Sequence, residues 1–235
     1  MGKYEIITQE DFTPQEIAAF IDHSLLFAYT TPQEIVAFCD DIKRYGFRVG
    51  CVNSVHTELA VRELKGYDVT VATTIGYPWG TVPYELKAKE AVYAMEKGAR
   101  AIDFVISVGH AVGGDWDYLR REMAAMVKVT HERDVPVKAI LETCYLSDEQ
   151  KVQACRAAQE EGVDFVKTST GFGSGWCNVH DVKLMKETVG TQTAVKASGK
   201  ITDYRTAVEL IHAGATRLGT RAGVEVLRST PGFSE

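Results

Sequence analysis

Residues 164–172 read DFVKTSTGF. Asp164, Phe165 and Val166 have the character of a buried strand, yet the strand runs into Lys167, then into small hydroxyl residues and a glycine. Burying an ammonium without a partner is expensive, so a lysine in this position is either paired or put to use. The same Val-Lys step occurs 29 residues earlier in PVKAILE (136–142) and 29 residues later in TAVKAS (193–198). That interval is the length of one strand-plus-helix unit. The repetition predicts three neighbouring parallel strands whose lysines, Lys138, Lys167 and Lys196, face one region.

Further from these strands the alternation continues. Apolar or β-branched runs at 20–25, 48–53, 69–75, 101–107 and 216–220 bring the number of predicted strands to eight. Helical stretches lie between them, and several have recognisable ends. TPQEIAAFID at 13 and TPQEIVAFCD at 31 both open with Thr, Pro and then Glu three residues after the Thr, a capping box with proline in the first helical position. Ser147 and Gln150 form a similar pair. Glycines 46, 98, 162, 190 and 214 stand where helices should stop. Eight such units within 235 residues predict an α/β fold, a (β/α)8 (TIM) barrel forming a single domain over residues 1–235, with an extra N-terminal helix at 14–20 covering the barrel bottom. An open doubly wound sheet is the alternative, but no glycine-rich dinucleotide fingerprint follows the first strand.

The bulk composition narrows the function. With 45% hydrophobic and 25% charged residues the chain reads as an ordinary globular protein, and its formal charge of −6 argues against a nucleic-acid binder. An acidic surface still leaves room for a local cationic pocket and an anionic small molecule. The opening MGKYEIITQEDF has no apolar signal-peptide core, and no apolar run is long enough to span a membrane, so a cytoplasmic location is expected. Cys39, Cys51, Cys144, Cys155 and Cys177 are odd in number and scattered, which predicts free thiols. The six histidines have no ligand spacing, and neither a metal nor a cofactor is called for. His23 and His110 lie near strand ends, either as structural residues or within reach of a substrate.

In a barrel of this kind, polar residues at the C-terminal ends of strands carry the chemistry. One reading has each lysine simply paired with a carboxylate such as Asp103 or Glu142. Three lysines on consecutive strands favour a chemical role. A lysine beside other cations in a dry site has a lowered pKa, and its neutral amine can attack a carbonyl to form an imine. The protonated imine then acts as an electron sink for the adjacent carbon–carbon bond. Lys167, Lys196 and Asp103 would supply the nucleophile, the second cation and the proton-moving carboxylate.

The ordered series IDHSLL, CVNSVH, VATTIGYPWG, AIDFVI, VKAILET, DFVKTSTGF, VKASGKI and GATRLGTRAGV, from about residue 20 to 227, resembles the strand motifs of class I deoxyribose-phosphate aldolases. The resemblance implies a (β/α)8 barrel, often dimeric, that reversibly cleaves 2-deoxy-D-ribose 5-phosphate to acetaldehyde and D-glyceraldehyde 3-phosphate without a metal. It implies Lys167 as the Schiff-base lysine, Lys196 as its pKa-lowering neighbour and Asp103 as the proton relay. It implies that Lys138 holds Asp103 in place, and that Asp22, Cys51 and Asn53 line the sugar site, with Thr168 also on the substrate side. The expected partners are small phosphorylated sugars, aldehydes and further copies of the same chain, as a dimer or larger.

The loops after the last two strands depart from the family pattern. Where the family usually reads Gly-Gly-Ile-Arg-Thr, this chain has Gly199, Lys200, Ile201, Thr202 and Asp203; where it reads Gly-Thr-Ser-Ala-Gly, this chain has Gly219, Thr220, Arg221, Ala222 and Gly223. These loops, with Ser198, form the expected phosphate cradle. Lys200 crowds it, and Arg221 brings a forked donor suited to phosphate or carboxylate. Trp176 in GFGSGWCN is also unusual, and Tyr77 and Trp79 are expected either to shape a loop over the barrel mouth or to pack in the core. Two further readings remain open: the same imine chemistry on a different anionic substrate, and a barrel that binds a sugar phosphate without turning it over. Retention of Lys167, Lys196 and Asp103 argues against the latter.

Overall fold

Thr13 and Thr31 each accept a hydrogen bond from the backbone N–H of the glutamate three residues on, and each glutamate accepts one back from the threonine N–H. These capping boxes start helices α1 (Pro14–Phe20) and α2 (Pro32–Tyr45). Gly46 ends α2 at φ 72°, a left-handed conformation that glycine adopts without the Cβ penalty. The computed structural model describes residues 4–234, so residues 1–3 and 235 of the predicted 1–235 domain lie outside the described residues.

The strands are β1 (Ile21–Leu25), β2 (Val49–Asn53), β3 (Thr70–Ile75), β4 (Ala101–Val105), β5 (Val137–Ile140), β6 (Phe165–Lys167), β7 (Ala194–Ser198) and β8 (Arg217–Thr220). They pair in parallel in chain order, and β8 returns to β1, closing the barrel. The TIM barrel is therefore the fold, and the open-sheet alternative is not. Helices α3 (Thr57–Glu63), α4 (Tyr84–Glu96), α5 (Val108–Gly113), α6 (Trp116–His131), α7 (Asp148–Glu160), α8 (Val179–Val189), α9 (Tyr204–His212) and α10 (Gly223–Arg228) fill the connections. Helix α1 runs directly into β1, buries Ile17 and Ala18, and packs against α10.

Three predicted strands end early: the run over 164–169 stops at Lys167, and two further endings have a visible cause. The run predicted to 107 stops at Val105, because Ser107 turns to donate its N–H to Glu122 Oε2 at 2.8 Å. Glu122 also takes Lys87 Nζ, in an ion pair with no exposure on either side chain. This pair fastens α4 and α6 to the end of β4. The run predicted to 142 stops at Ile140, and Glu142 adopts the left-handed conformation at φ 53°.

Candidate active site

Strand residues alternate between two faces. Asp22 on β1, Asp103 on β4, Lys138 on β5, Lys167 on β6 and Lys196 on β7 are all buried, Asp103 completely. Parallel pairing places Lys167 level with Lys196, whereas Lys138 is level with Asp103 and Phe165, two residues below Lys167. The three lysines are thus staggered rather than in one row, as strand tilt in a closed barrel requires. Asp103 bridges the two levels. Its Oδ1 accepts from Lys138 Nζ at 2.8 Å, and its Oδ2 accepts from both Lys167 Nζ and Lys196 Nζ at 2.8 Å. Lys196 also donates to Asp22 Oδ2, and the other Asp22 oxygen accepts from Arg217 Nε at 2.8 Å.

This lattice of charges divides the lysines. Burial lowers the pKa of Lys167, opposed by the Asp103 carboxylate and reinforced by the charge on Lys196. Burial acts on Lys196 in the same direction, but Asp103 and Asp22 outweigh it and hold that ammonium above the ordinary lysine range. Burial would raise Asp103 and Asp22, but the cations around them win: Lys138, Lys167 and Lys196 keep Asp103 well below the carboxylate range, and Lys196 and Arg217 do the same for Asp22. The arrangement is one amine whose charged form is disfavoured, beside a cation and a carboxylate that are both ionised in the resting site.

Above this floor lies a cavity of about 200 Å3, opening at the C-terminal ends of the strands. Of the predicted site residues, Asp22, Cys51, Lys167, Lys196, Ser198, Gly199, Lys200, Gly219 and Arg221 line it. Four do not. Asp103 lies beneath the lining, reached through its lysines. Lys138 sits on the lower level, and Thr168 ties β6 to β7, its Oγ1 accepting from Ser198 N at 3.0 Å and donating to Ser198 O at 3.2 Å. Asn53 accepts from Thr74 Oγ1 at 3.2 Å at the β2–β3 edge. Thr168 and Asn53, expected on the sugar, each make a strand-to-strand contact and stand outside the cavity lining.

Other expectations also shift. Glu142 does not pair with Lys138; it accepts from the Thr170 N–H at 3.2 Å and from the Thr170 hydroxyl, and its burial raises its pKa. Tyr77 lines the cavity, donating its hydroxyl to Thr170 O, while Trp79 stands exposed. His23 points away from the cavity, stacked between Phe38 and Phe47 at 5.0 and 4.6 Å. His110 stacks on Tyr118 and bonds to Asp115 at the surface. Of the five thiols, Cys39, Cys51 and Cys155 are buried, and all five are unpaired. No helix among the described residues is long and apolar enough to cross a membrane.

Sequence reasoning missed Arg217, Ser24, Phe27 and Thr170. Arg217 had a signal, a charge inside the run TRLGT, and Ser24 had one too, two residues after Asp22 on the same face of β1; Phe27 and Thr170 had none, since only loop geometry brings them to the cavity.

A barrel whose C-terminal cavity is floored by a buried cluster of lysines and carboxylates has the constitution of an enzyme active site. The comparisons with known proteins agree. Residues 32–230 match the model of the DeoC/LacD family of aldolases. The chain is 47% identical over 220 residues to a deoxyribose-phosphate aldolase of Thermococcus kodakarensis, covering 92% of this chain and 98% of that one. It is 48% identical over 211 residues to that of Thermoanaerobacter pseudethanolicus, covering 89% and 95%. The tetrameric deoxyribose phosphate aldolase of Aeropyrum pernix superposes with a TM-score of 0.87 at 29% identity, covering 92% of each chain. The chain belongs to the DeoC/LacD aldolase family, and it is an aldolase, a lyase.

Proposed function

We propose that the protein is a class I aldolase that reversibly cleaves 2-deoxy-D-ribose 5-phosphate to acetaldehyde and D-glyceraldehyde 3-phosphate, the whole chain working as one barrel domain. The observation that carries this reading is the sharing of Asp103 Oδ2 by Lys167 and Lys196 at the cavity floor. In the mechanism the neutral Lys167 amine attacks the C1 aldehyde of the open-chain sugar, and loss of water gives a protonated imine. The C3 hydroxyl then gives up its proton, and the C2–C3 bonding pair moves into an enamine whose electrons rest on the Lys167 nitrogen. Glyceraldehyde 3-phosphate departs with the new C3 carbonyl. Protonation of the enamine at C2, followed by hydrolysis, frees acetaldehyde and restores the amine. Asp103 moves protons at the Lys167 nitrogen, burial and the charge on Lys196 disfavour the protonated form of that nitrogen, and Lys138 fixes Asp103 from below. Asp22, Cys51 and Ser198 border the sugar, and Gly199, Lys200, Gly219 and Arg221 take the phosphate.

The five free thiols support a reducing cytoplasmic setting, and the tetrameric relative supports self-association. A second reading, the same imine chemistry on another anionic aldol, is favoured by the two unusual cations Lys200 and Arg221 on the cavity lining.

Acetaldehyde release from 2-deoxyribose 5-phosphate, comparing the wild type with Lys167→Ala, tests the proposal. Release that disappears in the variant, with borohydride trapping a substrate adduct on Lys167 of the wild type, supports it. No release from folded wild type overturns the substrate and leaves the second reading in place.

A further inference from the structure

Lys200 is one of three non-glycine residues in the left-handed conformation among the described residues, at φ 52°. Such a conformation is strained for a side chain, and strain of this kind gathers at functional positions. The turn directs the Lys200 ammonium onto the face of Trp176, 3.6 Å from the ring centroid. Both residues line the cavity, and among the described residues Lys200 has no carboxylate partner despite the chain's charge of −6.

Trp176 is itself held in place. Its neighbour Cys177 donates its N–H to Ser198 O at 3.3 Å and its thiol to Gly199 O at 3.2 Å. A side chain at Gly199 would begin 3.1 Å from the Trp176 Cβ and 3.4 Å from its Cα, so the glycine lets the start of this side chain approach the β7 loop closely. The β6 and β7 loops are therefore joined at the point where the indole carries the ammonium. On the neighbouring loop after β8, Arg221 rests on Phe27 in the same manner, at 4.8 Å, again without a carboxylate partner among the described residues. Two cations without carboxylate partners, on the neighbouring loops after β7 and β8 and each seated on a ring, suit a dianion bound at this side of the cavity.

We propose that Trp176 is a specificity-determining positioning residue: its ring holds the Lys200 ammonium over the cavity, where it selects phosphorylated over unphosphorylated substrates. The proposal rests on the reading of the site as an aldolase for a sugar phosphate. A free lysine would sample many rotamers in solvent, and fixing it in advance lowers the entropy lost when the phosphate binds. The ring also keeps the ammonium close without neutralising it, as a carboxylate would.

The test has two readouts. In the first, the ratio of kcat/KM for 2-deoxyribose 5-phosphate over that for 2-deoxyribose is compared in the wild type, Trp176→Leu and Trp176→Phe. The ratio is expected to fall about fivefold in the leucine variant, through KM, and to be largely restored by the phenylalanine ring. In the second, tryptophan emission is followed during titration with inorganic phosphate. A saturable change is expected in the wild type and not in Lys200→Gly. If the wild type cleaves the sugar phosphate but the ratio is the same in all three proteins, the positioning role is overturned and the aldolase reading stands. A phosphate-dependent emission change without sugar-phosphate cleavage overturns the substrate reading and leaves the platform standing. Neither cleavage nor emission change overturns both.

Discussion

Lys167 Nζ donates to Asp103 Oδ2 at 2.8 Å across the buried floor of the barrel, and the same oxygen is held at the same distance by Lys196. The carboxylate therefore does opposing things to the nucleophile. It raises the Lys167 pKa directly, and it anchors the second cation that lowers it. Burial tips the balance towards the neutral amine.

Asp103→Asn removes the negative charge that three lysines share and one of its two acceptor oxygens. Turnover should fall by about 10²–10⁴-fold, the usual worth of a positioned proton-transfer group. The buried cations left short of a partner should destabilise the fold by about 3–5 kcal/mol. Steady-state kinetics and urea unfolding check the two effects; a variant with near-native turnover would exclude Asp103 from proton transfer.

The lowered pKa of Lys167 sets the pH profile. The amine is protonated on the acid side, so kcat/KM should rise with pH through an apparent pKa below the ordinary lysine value. Lys196→Leu removes the repelling charge and leaves Asp103 Oδ2 to Lys167 alone, so both changes raise the Lys167 pKa. The rising limb should move to higher pH, with activity lost at pH 7 partly recovered in alkaline buffer. A limb that stays in place or moves to lower pH would contradict the assigned role of Lys196.

His23 makes stability depend on pH. Burial between Phe38 and Phe47 pushes its pKa down to about 4, against the hydrogen bond to the Thr220 backbone, from an ordinary 6.5. Between those values the unfolded chain binds the proton and the folded chain does not, so stability falls as pH drops through this window and levels off below about 4. The loss should approach about 3 kcal/mol. Urea unfolding at a series of pH values reads it directly, and His23→Phe should flatten that segment of the curve.

The Lys87–Glu122 pair predicts strong non-additivity. Both side chains are fully buried, and Lys87 also donates to Val105 O at 2.8 Å. Lys87→Met and Glu122→Leu should each cost about 3–5 kcal/mol, because each leaves a buried charge without its partner. The double variant should be more stable than the sum of the single losses implies. Additive losses in chemical denaturation would show that the two charges are not coupled.

The strands and helices were legible because their signals are local. Thr13, Thr31 and Ser147 announce helix starts through bonds only three residues long, and all three capping boxes are present. The strand limits at Ser107 and Glu142 were misplaced because what ends those strands is distant: Glu122 on α6 captures Ser107, and Thr170 after β6 captures Glu142. The strand-to-strand contacts of Thr168 and Asn53 were hidden for a related reason, since a polar group at a strand end serves a neighbouring strand as readily as a ligand.

By itself the sequence determined the alternation of elements, the inward-facing lysines and the family to which the chain belongs, because a period of 2 along a strand and a period of 29 between strands are written into the order of residues. Only the tertiary structure decided which cation meets which carboxylate. Barrel closure and stagger set Lys138 a level below Lys167, gave Asp103 to three lysines, brought Arg217 to Asp22 and seated Lys200 on Trp176. Those partnerships depend on strand tilt and loop geometry, which arise when the sheet closes on itself, and on the low-dielectric interior that makes each pairing strong.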